Sequence, residues 1–209
     1  MRPCAVVLTV GFAGKMTTDP WLTRWLPLVR ERAGAGIVLE IGCGDGDDTA
    51  VLAREGLRVH AFDLSRAAVD RTRLRVPSAV VECRDIRDPL PEQARELGAV
   101  LASLSLHYFP WGETEAIVGR IRVALRPGGV LLCRLNSTQD HNFGAGAGHP
   151  ELEPDFHLVD GQPKRFFDRA AVERLFVQGW NTLSLEHVVT GKYVKPKAVW
   201  EAVLERSDA

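Results

Sequence analysis

Three glycines spaced two apart, Gly42, Gly44 and Gly46, follow an acidic residue, Glu40, in the run IVLEIGCGDGDDTAVLA over residues 37–53. Glycines at this spacing let a backbone turn sharply and approach a bound molecule more closely than a Cβ permits. About twenty residues further on, Asp63 closes the next apolar segment, where an open α/β sheet offers a carboxylate to ribose hydroxyls. A third group, His107 and Tyr108 within SLSLHYFPW, sets an imidazole able to exchange protons near neutral pH beside a phenol whose ring can orient an acceptor or face a cation. These residue types permit ligand capture by backbone and carboxylate, followed by chemistry at an imidazole or phenol.

The glycine spacing separates cofactor classes. A dinucleotide fingerprint needs G-x-G-x-x-G, but here the third glycine comes one residue early and Asp47 stands in the required place. Asp45, Asp47 and Asp48 crowd the helix start, where they favour the helix dipole themselves and repel a diphosphate. No Gly-Lys-Ser/Thr follows, which removes a phosphate loop of the nucleotide-hydrolase kind. An adenosyl ligand without phosphates remains.

Regular elements must position these groups. Residues 37–41 are β-favouring and 50–53 suit a helix packed back on a sheet. Further strands are expected at 58–62, 79–84, 99–106 and 130–135, with helices at 65–75 and 113–126, and Pro127-Gly128-Gly129 stops the second helix. Strands alternating with helices specify a parallel sheet with right-handed crossovers. Asp19-Pro20 predicts an N-capped helix carrying Trp21, Leu22 and Trp25 along one side, ended or kinked by Pro27. From 136 to 165 periodicity disappears, so this stretch reads as an irregular insert on the substrate side. Order resumes with a helix capped by Asp168 that uses Val172, Leu175 and Phe176, then two alternating strands at 182–189 and 198–204 joined by TGKYVKP.

Glu40-Ile-Gly42-Cys43-Gly44-Asp-Gly46 resembles the signature of class I S-adenosylmethionine (SAM)-dependent methyltransferases, in which an acidic residue precedes G-x-G-x-G. FDLS over residues 62–65 and LRPGGVLL over 125–132 are similar to further motifs of that family. The resemblance covers about residues 19–206 and implies an α/β, doubly wound, Rossmann-like sheet of seven mostly parallel strands, the last antiparallel, with helices on both faces. It implies SAM as cofactor and S-adenosylhomocysteine (SAH) as product. Cofactor contacts then fall on Glu40, Gly42, Cys43, Gly44 and Gly46 in the loop, on Asp63 and Leu64 at the ribose, on Asp85 at the adenine amino group, on Ile86 as backbone donor and apolar wall, and on Ser103. WLTRWLPLV, SLHYF, KRFFD and KPKAVWEAVLER resemble small bacterial methyltransferases of the tellurite and thiopurine kind, which act on small soft or heteroatom acceptors.

Composition narrows the partners. The chain has 209 residues and a formal net charge of −1, which provides no field for a phosphate backbone, and the N-P-P-Y-like motif of DNA amino-methyltransferases is missing after the fourth strand. A small-molecule substrate is expected, without nucleic acid or membrane, on a monomer or homodimer. Residues 1–15 read as a poorly ordered tail whose apolar run is too short for a membrane span, and 16–209 as a single domain. Cys4, Cys43, Cys83 and Cys133 form no C-x-x-C pair and read as buried thiols of a cytoplasmic protein.

Methyl transfer from a sulfonium is an in-line displacement, for which positioning alone can supply roughly 7–11 kcal/mol. No fixed triad is required. His107 is the candidate base and Tyr108 the orienting group; Trp111, Asn136, Asp140 and His141 are candidates for the substrate side. His141, His149 and His157 lie among acids at spacings that match no standard ligand pattern, so no metal is expected. The expected function is methyl transfer from SAM to a small-molecule acceptor; the other reading is a SAM-binding sensor or scaffold.

Overall fold

The computed structural model describes residues 20–207; the expected cap Asp19, the 1–15 tail and Cys4 lie outside them. The central sheet has seven strands in the order β3-β2-β1-β4-β5-β10-β9, formed by β1 (Ile37–Ile41), β2 (Arg58–Asp63), β3 (Val80–Cys83), β4 (Leu97–Ser103), β5 (Leu125–Asn136), β9 (Trp180–Thr190) and β10 (Lys197–Arg206). β1 to β5 run parallel, while β10 pairs antiparallel with both β5 and β9. The expected topology therefore stands. Chain order reverses between β1 and β4, which opens a crevice at the carboxyl ends of those two strands.

Alternate residues along each strand face opposite sides, and each side has its own core. Val38, Ala99, Leu101, Val130 and Leu132 pack against α1 (Leu26–Ala33), α2 (Asp47–Arg54) and α3 (Arg66–Arg75) through Leu26, Val29, Leu52 and Val69. Leu39, Val100, Ala102, Leu131 and Cys133 pack against α4 (Trp111–Ala124) and α5 (Arg169–Leu175) through Ile117, Ile121, Val172 and Leu175. Strands covered on both faces must be apolar at every position, which is why β4 and β5 read as continuous apolar runs.

Two expectations are corrected. Pro27 does not end a helix: a 3-10 turn at Thr23–Trp25 leads into α1, and Pro27 sits in the first turn, where its missing N–H is no loss. The stretch 136–165 is not irregular throughout, because β6 (Glu151–Glu153), β7 (Phe156–Val159) and β8 (Gln162–Arg165) form a small antiparallel sheet. Strands of three or four residues are too short to show a period. The β7–β8 turn is Asp160-Gly161, with φ of 51° and 74°, an Asp-Gly hairpin that the sequence did carry.

Ser65 caps α3 through Ala68 N–H, and Asp168 caps α5 through Ala171 N–H, as their positions predict. Cys43 and Cys133 are buried free thiols, whereas Cys83 is disulfide-bonded, against the thiol expectation. No helix among the described residues is long and apolar enough to cross a membrane.

Candidate active site

The glycine loop leaves β1 and is pinned to β2, with Gly42 and Cys43 N–H both donating to the Phe62 carbonyl at 2.8 and 3.1 Å. Gly42 takes a φ of 75°, and a Cβ there would lie 2.5 Å from Ser105 Cβ, so only glycine lets the segment after β4 close on the loop. Gly44 differs: at a φ of 53° its missing Cβ faces open space. The Gly44 N–H donates to Asp63 Oδ2 at 2.9 Å, and Asp63 Oδ1 accepts from Ser65 N–H at 2.8 Å. A fixed carboxylate thus stands beside an open backbone at the β1–β4 crevice, with half-buried Leu64 next to it.

Glu40 lies beneath the loop. Its Oε2 accepts from Thr49 Oγ1 at 2.6 Å; burial first, then the charge of Asp48, pushes the carboxyl up to about 8. Cys43 is likewise raised to about 12, by burial and then by Glu40, which leaves it unreactive near neutral pH. Gly46 takes a φ of 76° at the start of α2. At the end of β3, Asp85 is paired with Arg87 at 2.5 Å, and Ile86 is buried with its carbonyl accepting from Arg120 at 2.6 Å. An adenine amino group at Asp85 would therefore share that carboxylate with Arg87.

Beyond β4 the chain is strained. Leu104 adopts a φ of 56°, which a side chain with a Cβ rarely takes, and its N–H donates to the Arg134 carbonyl at 3.0 Å. Ser103 Oγ accepts from Arg134 Nε at 3.0 Å. Ser105 Oγ is buried without a hydrogen-bond partner. No sequence signal marked Ser105, because its role depends on the contact with Gly42.

His107 is 3% exposed, its ring 4.1 Å from that of Tyr108, and its Nδ1 has no hydrogen-bond partner. Burial first, then Lys197 and Lys164, hold the imidazole well below its ordinary value, so it is neutral near pH 7. This corrects the expectation of an imidazole that titrates near neutrality. Tyr108 keeps 42% of its surface at the mouth of the crevice. Desolvation of the phenol there, then Asp63 and Tyr193, raise it above its ordinary value and keep it protonated. Asp63 and Tyr108 therefore share one neighbourhood.

The remaining candidates take other places. Asp140 is buried, with Oδ2 2.5 Å from Lys197 Nζ and Oδ1 accepting from Ala198 N–H at 3.1 Å; it clamps the insert to β10 and presents no free oxygen. His141 is exposed, with Nδ1 3.0 Å from the Ala145 carbonyl of its own loop. Asn136 is buried at the end of β5, with Oδ1 unpartnered. Trp111 braces the start of α4: Arg174 stacks on its ring at 3.9 Å, and its backbone N–H donates to Glu153 Oε2 at 2.9 Å. Arg165, which the sequence did not single out, ties the insert down through Glu153, the Pro154 and Phe109 carbonyls, and its own N–H to the His107 carbonyl at 2.7 Å. The hairpin tip at 191–196 crosses toward the loop, with Lys192 Nζ 3.1 Å from Asp47 Oδ2 and Tyr193 5.9 Å from the Phe143 ring. Among the described residues no group of three His, Cys, Asp or Glu is arranged to hold a metal ion.

This strand order, with a glycine loop and an acidic strand end at its reversal point, defines a Rossmann-like adenosyl-binding domain. Comparison with known proteins finds methyltransferases. Residues 38–129 match the family model described as a methyltransferase domain. Trans-aconitate 2-methyltransferase of Paracidovorax citrulli (strain AAC00-1) is 33% identical over 105 residues, which is 49% of this chain and 40% of that protein. The tRNA (guanine-N(7)-)-methyltransferase of Mycolicibacterium paratuberculosis (strain ATCC BAA-968 / K-10) is 30% identical over 162 residues, 66% of this chain and 57% of that one. The chain thus spans about half the length of the curated relatives it matches. Among solved structures, a SAM-dependent methyltransferase from Mesorhizobium loti superposes with a TM-score of 0.69 at 17% identity, covering 90% of this chain and 99% of that one. Burkholderia thailandensis 1,6-didemethyltoxoflavin-N1-methyltransferase, solved with bound 1,6-didemethyltoxoflavin and SAH, gives 0.68 at 16%, covering 91% and 80%; at these identities the likeness establishes the fold. The matched domain and the sheet topology give the chain the fold of the class I SAM-dependent methyltransferases.

Proposed function

We propose that this protein, a single domain over residues 16–209, transfers a methyl group from SAM to a small-molecule acceptor. The observation that carries the reading is the Asp63 carboxylate held 2.9 Å from Gly44 N–H, beside backbone open to a ligand and in the neighbourhood of Tyr108. The residues present fit the cofactor. The loop from Gly42 to Gly46 and Asp63 suit a nucleoside without phosphates, and the acids Asp48 and Asp63 suit a ligand with positive charge. When bound, SAM supplies a methyl group on a sulfonium, and transfer leaves a neutral thioether.

On this reading the protein's part is to orient and to exclude water. Asp63 anchors the ribose, with Leu64, Asp85 and Ile86 around the nucleoside and Ser103 at the strand end. Tyr108 and neutral His107 flank the acceptor, and the hairpin tip with the insert cover it. A neutral imidazole offers one donor and one acceptor nitrogen, so His107 can align an acceptor without taking up charge. The test is calorimetric titration with SAM, SAH and NAD, followed by an acceptor screen that detects SAH release. Micromolar binding of the two adenosyl ligands without NAD supports the cofactor; failure of every acceptor in the screen to release SAH defeats the small-molecule half.

A further inference from the structure

Three buried polar atoms on the insert side of the sheet have no hydrogen-bond partner: His107 Nδ1, His157 Nδ1 and Asn136 Oδ1. Native structures pair the great majority of such atoms, so each orphan marks a place where a ligand or ordered water completes the bonding. Lys164 belongs to this neighbourhood. β8 sets it directly across from His157, and the amide of the next residue donates to the His107 carbonyl. Its charge acts on both the His107 ring and the Lys197 ammonium.

The other cations nearby already have counter-charges. Lys197 pairs with Asp140, Arg165 with Glu153, and Lys192 at the hairpin tip with Asp47. The Lys164 side chain is half-buried and its ammonium makes neither an ion pair nor a hydrogen bond with another described residue. A partly desolvated ammonium without a counter-charge, beside a buried imidazole with an unfilled nitrogen, is an arrangement completed by an anion through charge-assisted hydrogen bonds.

We propose that Lys164 sets acceptor specificity, and that the acceptor is a small molecule whose carboxylate docks between the Lys164 ammonium and the His107 ring. This rests on the methyl-transfer reading, and its test separates the two. SAH-loaded protein is titrated calorimetrically with benzoate against benzamide, succinate against succinamide, and trans-aconitate against its trimethyl ester. At least one acid should bind, its neutral counterpart roughly tenfold or more weakly. Lys164→Met should weaken that acid by a similar factor, Lys164→Arg should retain most of it, and SAM affinity in both should match the parent, which shows that the variants are folded. The proposal is overturned if no acid binds, if the neutral partners bind equally, or if Lys164→Met leaves acid binding unchanged. Acid binding that depends on Lys164 but is never followed by methyl transfer keeps the anion site and defeats the enzymatic reading.

Discussion

The Asp63 carboxylate accepts from Gly44 and Ser65 amides, so its charge stands at the loop mouth before any ligand arrives. A ribose hydroxyl donating to it forms a charge-assisted bond of about 1.5–3 kcal/mol. Asp63→Ala should therefore weaken SAM binding more than tenfold by calorimetry, and an unchanged constant would remove Asp63 from the ribose. His107 leads to a different expectation, because burial and two lysines hold it neutral. Between pH 6 and 8 the profile of kcat/KM should show no inflection from this residue, and His107→Gln should keep more activity than His107→Ala. An inflection near pH 6.5 that disappears in His107→Gln would restore the titrating base. Asp63 is marked in the sequence by its distance from the glycines, and His107 by its type and its place at the end of the fourth strand. The ionisation state of His107 is not marked there, because Lys164 and Lys197 come from segments far away in sequence.

At the scale of elements, the site is roofed by two pieces of chain that meet at one buried ion pair. Asp140 comes from the insert and Lys197 from the first residue of β10, and their side chains are 0% and 9% exposed. Burial pulls the lysine ammonium down while Asp140 holds it charged. Asp140→Asn strands that ammonium, and the loss should be about 3–5 kcal/mol in urea denaturation. Adding Lys197→Met should recover part of the loss; a single variant as stable as the parent would mean that the insert and the hairpin stand independently. Sequence reading placed Asp140 on the substrate side because it follows β5, but its partner lies 57 residues away in the hairpin. The insert sheet was missed for a related reason: its strands are short, and only Asp160-Gly161 marked a turn.

For the molecule as a whole, the buried acid under the loop links fold to pH. Glu40 is raised to about 8 by burial and Asp48, above the ordinary carboxylate value of 4.5. The folded state thus holds this proton more tightly than the unfolded chain. The stability it contributes is complete below about pH 4.5, and declines as pH rises toward 8. Glu40→Gln copies the protonated form and keeps an acceptor for Thr49, so its Tm should exceed the parent's near pH 8 and converge with it near pH 5. A gap that grows toward acid would contradict this. By itself, the sequence determined the order of strands and helices of the central sheet, the glycine loop and the acid that follows it, because these depend on local periodicity and on backbone freedom at single residues. Only the tertiary structure decided that Ser105 closes on Gly42, that Lys192 crosses to Asp47, and that Lys164 is left without a counter-charge beside His107. Those contacts join segments whose separation in sequence has no fixed period, and the burial that sets their charges exists only once both core layers have formed.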